Sequence, residues 1–215
     1  LTGQSTELSE AMRAGLHYVR STRAYHAVLT RAGLFALGGS ALWSLLPVVV
    51  SRELNSTSTH YGILLGCLGM GSIVGAVALA PLRSHFSSDQ LIGTGIVLFA
   101  LASAGLGVLD HFGWIAAAMV AGGIAWMTVM STFNVHAQTA PPNWLRARAL
   151  AYYLLVFQGA MAIGSGSWGA VAGRVGVRGA LLFAAAMIAA TVFAIMKLPL
   201  PDHLLKESEA LAIGE

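Results

Sequence analysis

Long stretches of this chain carry no charge. Six runs contain no Asp, Glu, Lys or Arg: the residues between Arg31 and Arg52, then Leu54–Leu82, Gln90–Leu109, Phe112–Leu145, Ala149–Gly173 and Gly179–Met196. A helix rising 1.5 Å per residue needs about 20 mainly apolar residues to cross a hydrocarbon core of about 30 Å. Each run is near that length or longer. Polar ends trim the longer ones. Asn55–His60 reads as a loop, and Pro141-Pro142 breaks any helix entering Ala140–Trp144. The reading is an all-α polytopic membrane protein with six transmembrane helices, near 32–51, 61–82, 91–109, 112–137, 149–172 and 179–197. A cytoplasmic linker, 1–31, precedes them and a cytoplasmic tail, 198–215, follows. The pattern argues against barrel strands, because the runs are about twice a spanning strand's length and lack strict alternation.

Composition agrees with this reading and removes other classes. Of the 215 residues, 56% are hydrophobic and 10% charged, with a mean hydropathy of +0.73. A soluble domain carries about 25% charged residues, and a disordered chain combines low hydrophobicity with high charge. Twelve Lys and Arg, for a net charge of +3, are too few for a nucleic-acid surface. Cys67, the single cysteine, has no internal partner and sits in an apolar run, where it packs.

An even number of spans leaves both termini on one side. Nine Lys and Arg fall on the side of the termini: Arg13, Arg20, Arg23, Arg31, Arg83, Arg146, Arg148, Lys197 and Lys206. The other side has three, Arg52, Arg174 and Arg178. By the positive-inside rule the termini are expected in the cytoplasm of a cell (inner) membrane protein. The first thirty residues are not a cleaved signal, which would place an apolar region earlier. Thr6 is suited to cap a helix with Leu8, Met12, Leu16 and Val19 on one face and Arg13, Arg20 and Arg23 on the other. Such a helix lies along the membrane surface. A chain that starts with Leu1 rather than Met is expected to be a piece of something longer.

Glycine is plentiful, with 25 residues, and recurs one helical turn apart. Gly62 and Gly66, Gly71 and Gly75, and Ser165, Gly169 and Gly173 all show this spacing, which lets helix backbones approach closely. Gly66, Gly71, Gly75, Ser165, Gly169 and Gly173 are therefore candidate packing positions. Static bundle packing and surfaces that rock during transport both use it. A weak internal repeat points toward transport. Gly38-Gly39-Ser40-Ala41-Leu42-Trp43 in the first span echoes Gly122-Gly123-Ile124-Ala125-Trp126 in the fourth. Tyr61 leading to Gly75-Ala76 echoes Tyr152-Tyr153 leading to Gly169-Ala170. A three-plus-three inverted repeat has this form.

No ionisable Asp, Glu, Lys or Arg falls inside a predicted span, so any proton-coupling carboxylate belongs elsewhere. The membrane-embedded candidates for lining a substrate cavity are Gln158, Trp126, Trp43, Ser40 and Thr128. Gln158 lies near midplane and serves equally as an interhelical hydrogen-bonding group; the two tryptophans serve equally as core. Asn134, His136 and Gln138 close the fourth span, and Arg146 and Arg148 follow in a basic turn. With Arg83 of the second loop, these form the candidate cytoplasmic gate. His136 titrates near neutral pH if water reaches it, and a helix end is also an ordinary place for a histidine. No cofactor and no metal site are expected.

An intramembrane serine protease needs Gly-x-Ser-Gly and a partner histidine within the membrane. Neither Ser165 nor Ser167 has a glycine two residues before it, and no histidine lies at midplane. Paired intramembrane aspartates and His-Glu metal motifs are missing from the sequence as well. A membrane scaffold that binds a partner through its helices is the alternative to a transporter, with the repeat arguing against it.

The run from Gln138 through Pro141-Pro142-Asn143-Trp144-Leu145-Arg146-Ala147-Arg148 to Ala151, continuing to Phe157-Gln158-Gly159 and Gly164-Ser165, resembles the C-terminal half of major facilitator superfamily transporters. The resemblance is closest to the transmembrane secretion effector branch, which includes enterobactin-exporter-like proteins. Leu46-Pro47 and Tyr61-Gly62-Ile63-Leu64-Leu65 fit that family's seventh and eighth helices, and Glu7 to Arg20 fits the end of its central linker. The resemblance implies helices seven to twelve of a twelve-helix fold, alternating access, and proton-driven export. Its partners would be the lipid bilayer, a missing N-terminal six-helix half and a small-molecule substrate. The sequence departs from the superfamily's gating motif, in which an acid and several bases follow a glycine. Here Gly75 leads to Pro81-Leu82-Arg83-Ser84-His85 with Asp89 further on, so a full acid–base latch is not implied.

Overall fold

The computed structural model of the chain describes residues 22–53 and 57–197. The surface helix expected before Arg20 and the tail 198–215 lie outside the described residues. Five helices follow in order: α1, Arg23–Val48; α2, Ser58–His85; α3, Ser88–Val108; α4, Phe112–Thr139; and α5, Arg146–Lys197. All five are long and apolar enough to cross a membrane, and no strand occurs among the described residues.

Local chemistry sets the ends of these helices. In α3 the Ser87 hydroxyl accepts from the Gln90 N–H while the Gln90 side chain accepts from the Ser87 N–H, a reciprocal cap that starts the helix sharply. At the head of α4 the His111 ring accepts from the Gly113 N–H. Pro47 lacks the N–H that would bond one turn back in α1, and a π-helical turn over Val49–Glu53 follows. Pro141-Pro142 separates α4 from α5, as their missing N–H groups require.

Two boundaries depart from the sequence reading. α1 begins at Arg23, well before residue 32, and takes Arg31 into the helix. Where a loop over 173–179 is expected, the helical path is interrupted at Gly176 alone, whose φ of 82° and ψ of 161° suit only glycine. The chain turns back there. Gly164, before the break, packs on Leu37 of α1, and Ile188, after it, packs on the adjacent Gly38. Hence α5 is two segments, 146–175 and 177–197, that clasp α1 between them.

Each helix finds a neighbour through small residues. α2 runs parallel to α4, with Gly71 seated on the Val120 carbonyl, Gly75 on Ile124, and Gly123 of α4 on the Leu68 carbonyl. The first segment of α5 runs parallel to α1 in the same manner. Gly164 sits against the Leu37 carbonyl and Ser40, and the Trp168 indole N–H donates to that carbonyl at 2.8 Å. α3 joins these pairs, packing on α4 at Gly95 and Val129 and on the second α5 segment at Gly107 and Leu181. α2 and the first α5 segment therefore lie at the two ends of the arc.

Candidate functional site

A cluster of rings fills the centre of the bundle. Trp126 of α4 is its hub, with ring centroids 5.5 Å from Phe35, 5.4 Å from Trp43, 5.5 Å from Phe99 and 6.2 Å from Phe157. These rings come from α1, α3, α4 and α5, so one side chain joins four helices. Edge-on and tilted geometries suit the ring quadrupoles, each pair adding about 0.5–1.5 kcal/mol beyond burial. Trp126 and Trp43 remain half-buried, and the Trp43 indole N–H is enclosed without a hydrogen-bond acceptor. The same holds for the Tyr153 hydroxyl, whose ring lies 6.2 Å from Phe157.

The other cavity candidates occupy different places. Ser40 is buried in the α1–α5 contact and donates to the Leu37 carbonyl at 2.8 Å. Thr128 is turned toward α3, donates to the Ile124 carbonyl and lines a groove beside α2, away from the tryptophan pair. Gln158 is exposed on the outer face of α5. The structure thus brings Trp43 and Trp126 together and leaves Ser40 in a helix contact, Thr128 at a groove and Gln158 on the outside.

The gate candidates gather at one end of the bundle. Arg83 Nη2 donates to Ser131 Oγ at 3.0 Å, bridging α2 and α4. Asn134 donates back to the Met130 carbonyl, and His136 is buried. Gln138, Arg146 and Arg148 are exposed, with Arg146 Nη2 held by Asn143 Oδ1 at 2.7 Å. At this end, sequence reasoning missed an ion pair. Arg31, 1% exposed, meets Asp89 with Nη1 to Oδ1 at 2.6 Å and ties α1 to the head of α3. An acid and a base therefore do meet beside the α2–α3 turn, although the base comes from α1. Close by, the Tyr25 hydroxyl donates to the Ala149 carbonyl at 2.6 Å, fixing α1 to the start of α5. A second ion pair, Arg178 to Asp110 at 2.5 Å, closes the opposite end.

The candidate packing positions divide in two. Gly71 and Gly75 are buried at helix contacts, where an added Cβ would strike backbone. Gly66, Gly169 and Gly173 face open space, as do Gly62, Gly69 and Gly166; Ser165 is half-buried. On the first α5 segment Ala162, Gly166, Gly169 and Gly173 make one exposed stripe at alternating steps of four and three. Among the described residues no cluster of His, Cys, Asp or Glu could hold a metal ion.

No curated protein matches the chain. The family described as transmembrane secretion effector matches residues 4–212, nearly the full length. A chain of apolar, membrane-capable helices matched over that extent is a multi-pass membrane protein, and it belongs to the transmembrane secretion effector family of major facilitator transporters.

Proposed function

We propose that this chain is the C-terminal half of a secondary active transporter that exports a small, largely apolar molecule or siderophore by alternating access, driven by protons. The observation that carries the reading is the family match together with the two open, small-residue faces at the ends of the arc. In water such faces would be unremarkable. In lipid, close backbone approach is what holds helices together, and unused small faces suit a second bundle. That bundle would be an N-terminal six-helix half.

The break at Gly176 supports six crossings, since each α5 segment is long enough to span or nearly so. The packing also supports a three-plus-three repeat. α1 and α4 each take one parallel neighbour through a glycine contact and one antiparallel neighbour. Nine cations against three support cytoplasmic termini. Apart from Arg31, which is paired, no ionisable Asp, Glu, Lys or Arg falls within the cores of the spans, so the coupling acid would sit in the other half. The aromatic hub and the enclosed Trp43 N–H suit a substrate with apolar surface and a hydrogen-bond acceptor.

The test is transport by the full-length gene product in proteoliposomes with an imposed proton gradient, using a panel of lipophilic dyes and a catecholate siderophore. Gradient-dependent movement that a protonophore abolishes is expected. No movement across the panel, with a stable co-purifying partner, would favour a scaffold.

A further inference from the structure

Histidines sit at the heads of two neighbouring helices. α2 and α4 run parallel, so both begin at the end of the bundle that the Arg178–Asp110 pair closes. His111 is the cap of α4, and its Nδ1 accepts from the Gly113 N–H at 3.2 Å. Glycine at 113 makes room for this bond, because a Cβ there would stand 3.3 Å from the ring. His60 lies in the first turn of α2, with Nδ1 3.2 Å from the Thr57 hydroxyl. Its ring meets Phe112, the residue after His111, edge-on at 4.9 Å. An aromatic contact therefore ties the two heads together, beside the bond that starts α4.

Serine, threonine, aspartate and asparagine are the usual caps, and near neutral pH their oxygens accept whatever the proton concentration. A histidine cap differs. Nδ1 accepts only while it keeps its lone pair, so the ring must be neutral with its proton on Nε2. Histidine changes charge between about pH 5 and 8. A proton taken up at Nδ1 turns the acceptor into a donor, and the Gly113 N–H loses this bond. The new charge also lies at the positive end of the α4 dipole. His60 stands at the same end of α2, so its protonation sets a second like charge at a second positive helix end. The cap is thus present at higher pH and lost as the pH falls.

Water reaches the ring, since His111 is exposed. Its neighbour Asp110 is engaged by Arg178 of the second α5 segment. Among the described residues the other charges at this end are Arg52, Glu53 and Arg174, all exposed and with more base than acid.

We propose that the His111 cap, with the His60–Phe112 contact beside it, is an acid-released clasp between the heads of α2 and α4. Neutral, it starts α4 and holds the heads together; protonated, it uncaps α4 and lets them part. Which medium supplies the acid rests on the proposed cytoplasmic termini, which put this end outside. The clasp itself needs no transport, so it is tested on the chain alone.

The whole chain in detergent micelles, with its glycines isotope-labelled, would be followed by amide exchange at Gly113 at about pH 7.5 and about pH 5.5, either side of the midpoint of an ordinary histidine. Each rate is referred to that of an unstructured amide at the same pH. Protection at Gly113 should fall about fivefold on acidification, which is the worth of one cap. His111→Asn supplies an acceptor that does not titrate and should keep the protection at both pH values, whereas His111→Ala should lack it at both. In a Cys67→Ala background, spin labels on Thr59→Cys and Ala117→Cys should move apart or broaden in separation on acidification, and should not respond once His111→Asn is added. Protection at Gly113 that is independent of pH in the wild type, a pH response kept by His111→Asn, or a label separation that acid leaves unchanged would overturn the proposal.

Discussion

The same spacing of small residues does two different things on α2. On one face Gly71 and Gly75 disappear into α4, and Ser72 Oγ lies 3.3 Å from the Gly123 carbonyl across the contact. On the other, Gly62, Gly66 and Gly69 touch nothing. The first segment of α5 repeats the division, with Gly164 closed against α1 and Gly166, Gly169 and Gly173 open. α1, held between the two α5 segments, is unlike either: 61% of its most apolar stretch is buried against 28% for α2. Closed glycines build this bundle. The open ones, on the proposed reading, are where the bundle meets another.

Substitutions on the two faces should therefore part company. The largest effect is expected at the closed face and the hub. Gly71→Val would drive a branched side chain into the Val120 backbone, which cannot rotate away, and should destabilise by about 3 kcal/mol or more. Trp126→Ala empties a site touched by four rings and should cost about 3–5 kcal/mol. Thermal melting in detergent reads both, and a melting temperature within a degree of wild type for either would show that the packing is misread.

Next is the pair that holds the closed bundle at one end. Asp89→Ala leaves Arg31 buried beside a missing partner and should lower stability by about 2 kcal/mol, less than a fully enclosed pair because Asp89 is 28% exposed. Adding Arg31→Met to that variant should recover part of the loss. A double variant no better than Asp89→Ala alone would mean that Arg31 contributes through its packing and not through its charge.

Smaller effects on stability, with clear effects on transport, are expected on the open faces. A Cβ added at Gly169 meets no atom within 4 Å, so Gly169→Leu points its side chain into open space. It should leave the stability of this chain unchanged to within about 0.5 kcal/mol, while a transporter built from two halves, as proposed, loses most of its turnover. Equal losses in both assays would erase the distinction between the faces. The mildest change is expected at Gln158→Leu, with a shift of a few fold in substrate affinity and normal expression. Wild-type transport of every substrate would remove Gln158 from the path.

Much of this architecture is legible in the sequence because the bilayer forbids charge. The uncharged runs place α3 and α4 within about three residues of their structural ends, since Ser87, His111 and the Pro141-Pro142 pair mark boundaries that charge spacing also marks. The same rule misplaces the start of α1. Arg31 reads as the edge of a span, but its charge is met by Asp89, 58 residues away, and a pairing at that range leaves no local trace. The turn between 173 and 179 reads too long because a single glycine at positive φ does the work of a loop. The aromatic hub is half visible. Trp43 and Trp126 stand out by rarity, whereas Phe35, Phe99 and Phe157 are ordinary in an apolar run and acquire meaning only when three helices converge. Glycine spacing predicts close approach but not its direction, which depends on what each face meets.

Direction is what a single labelling experiment can read. In a two-half transporter of the kind proposed, carrying Cys67→Ala, Gly166→Cys and Ser103→Cys would be introduced separately and each treated with a lipid-soluble maleimide. Ser103 of α3 is fully buried and close to cysteine in size, and Gly166 lies on the open stripe. Docking of a second half predicts that the Gly166→Cys thiol is protected in one transport state and labelled in the other. The Ser103→Cys thiol should stay unlabelled throughout. Full labelling of Gly166→Cys in every state would put that face against lipid and contradict a second bundle on it.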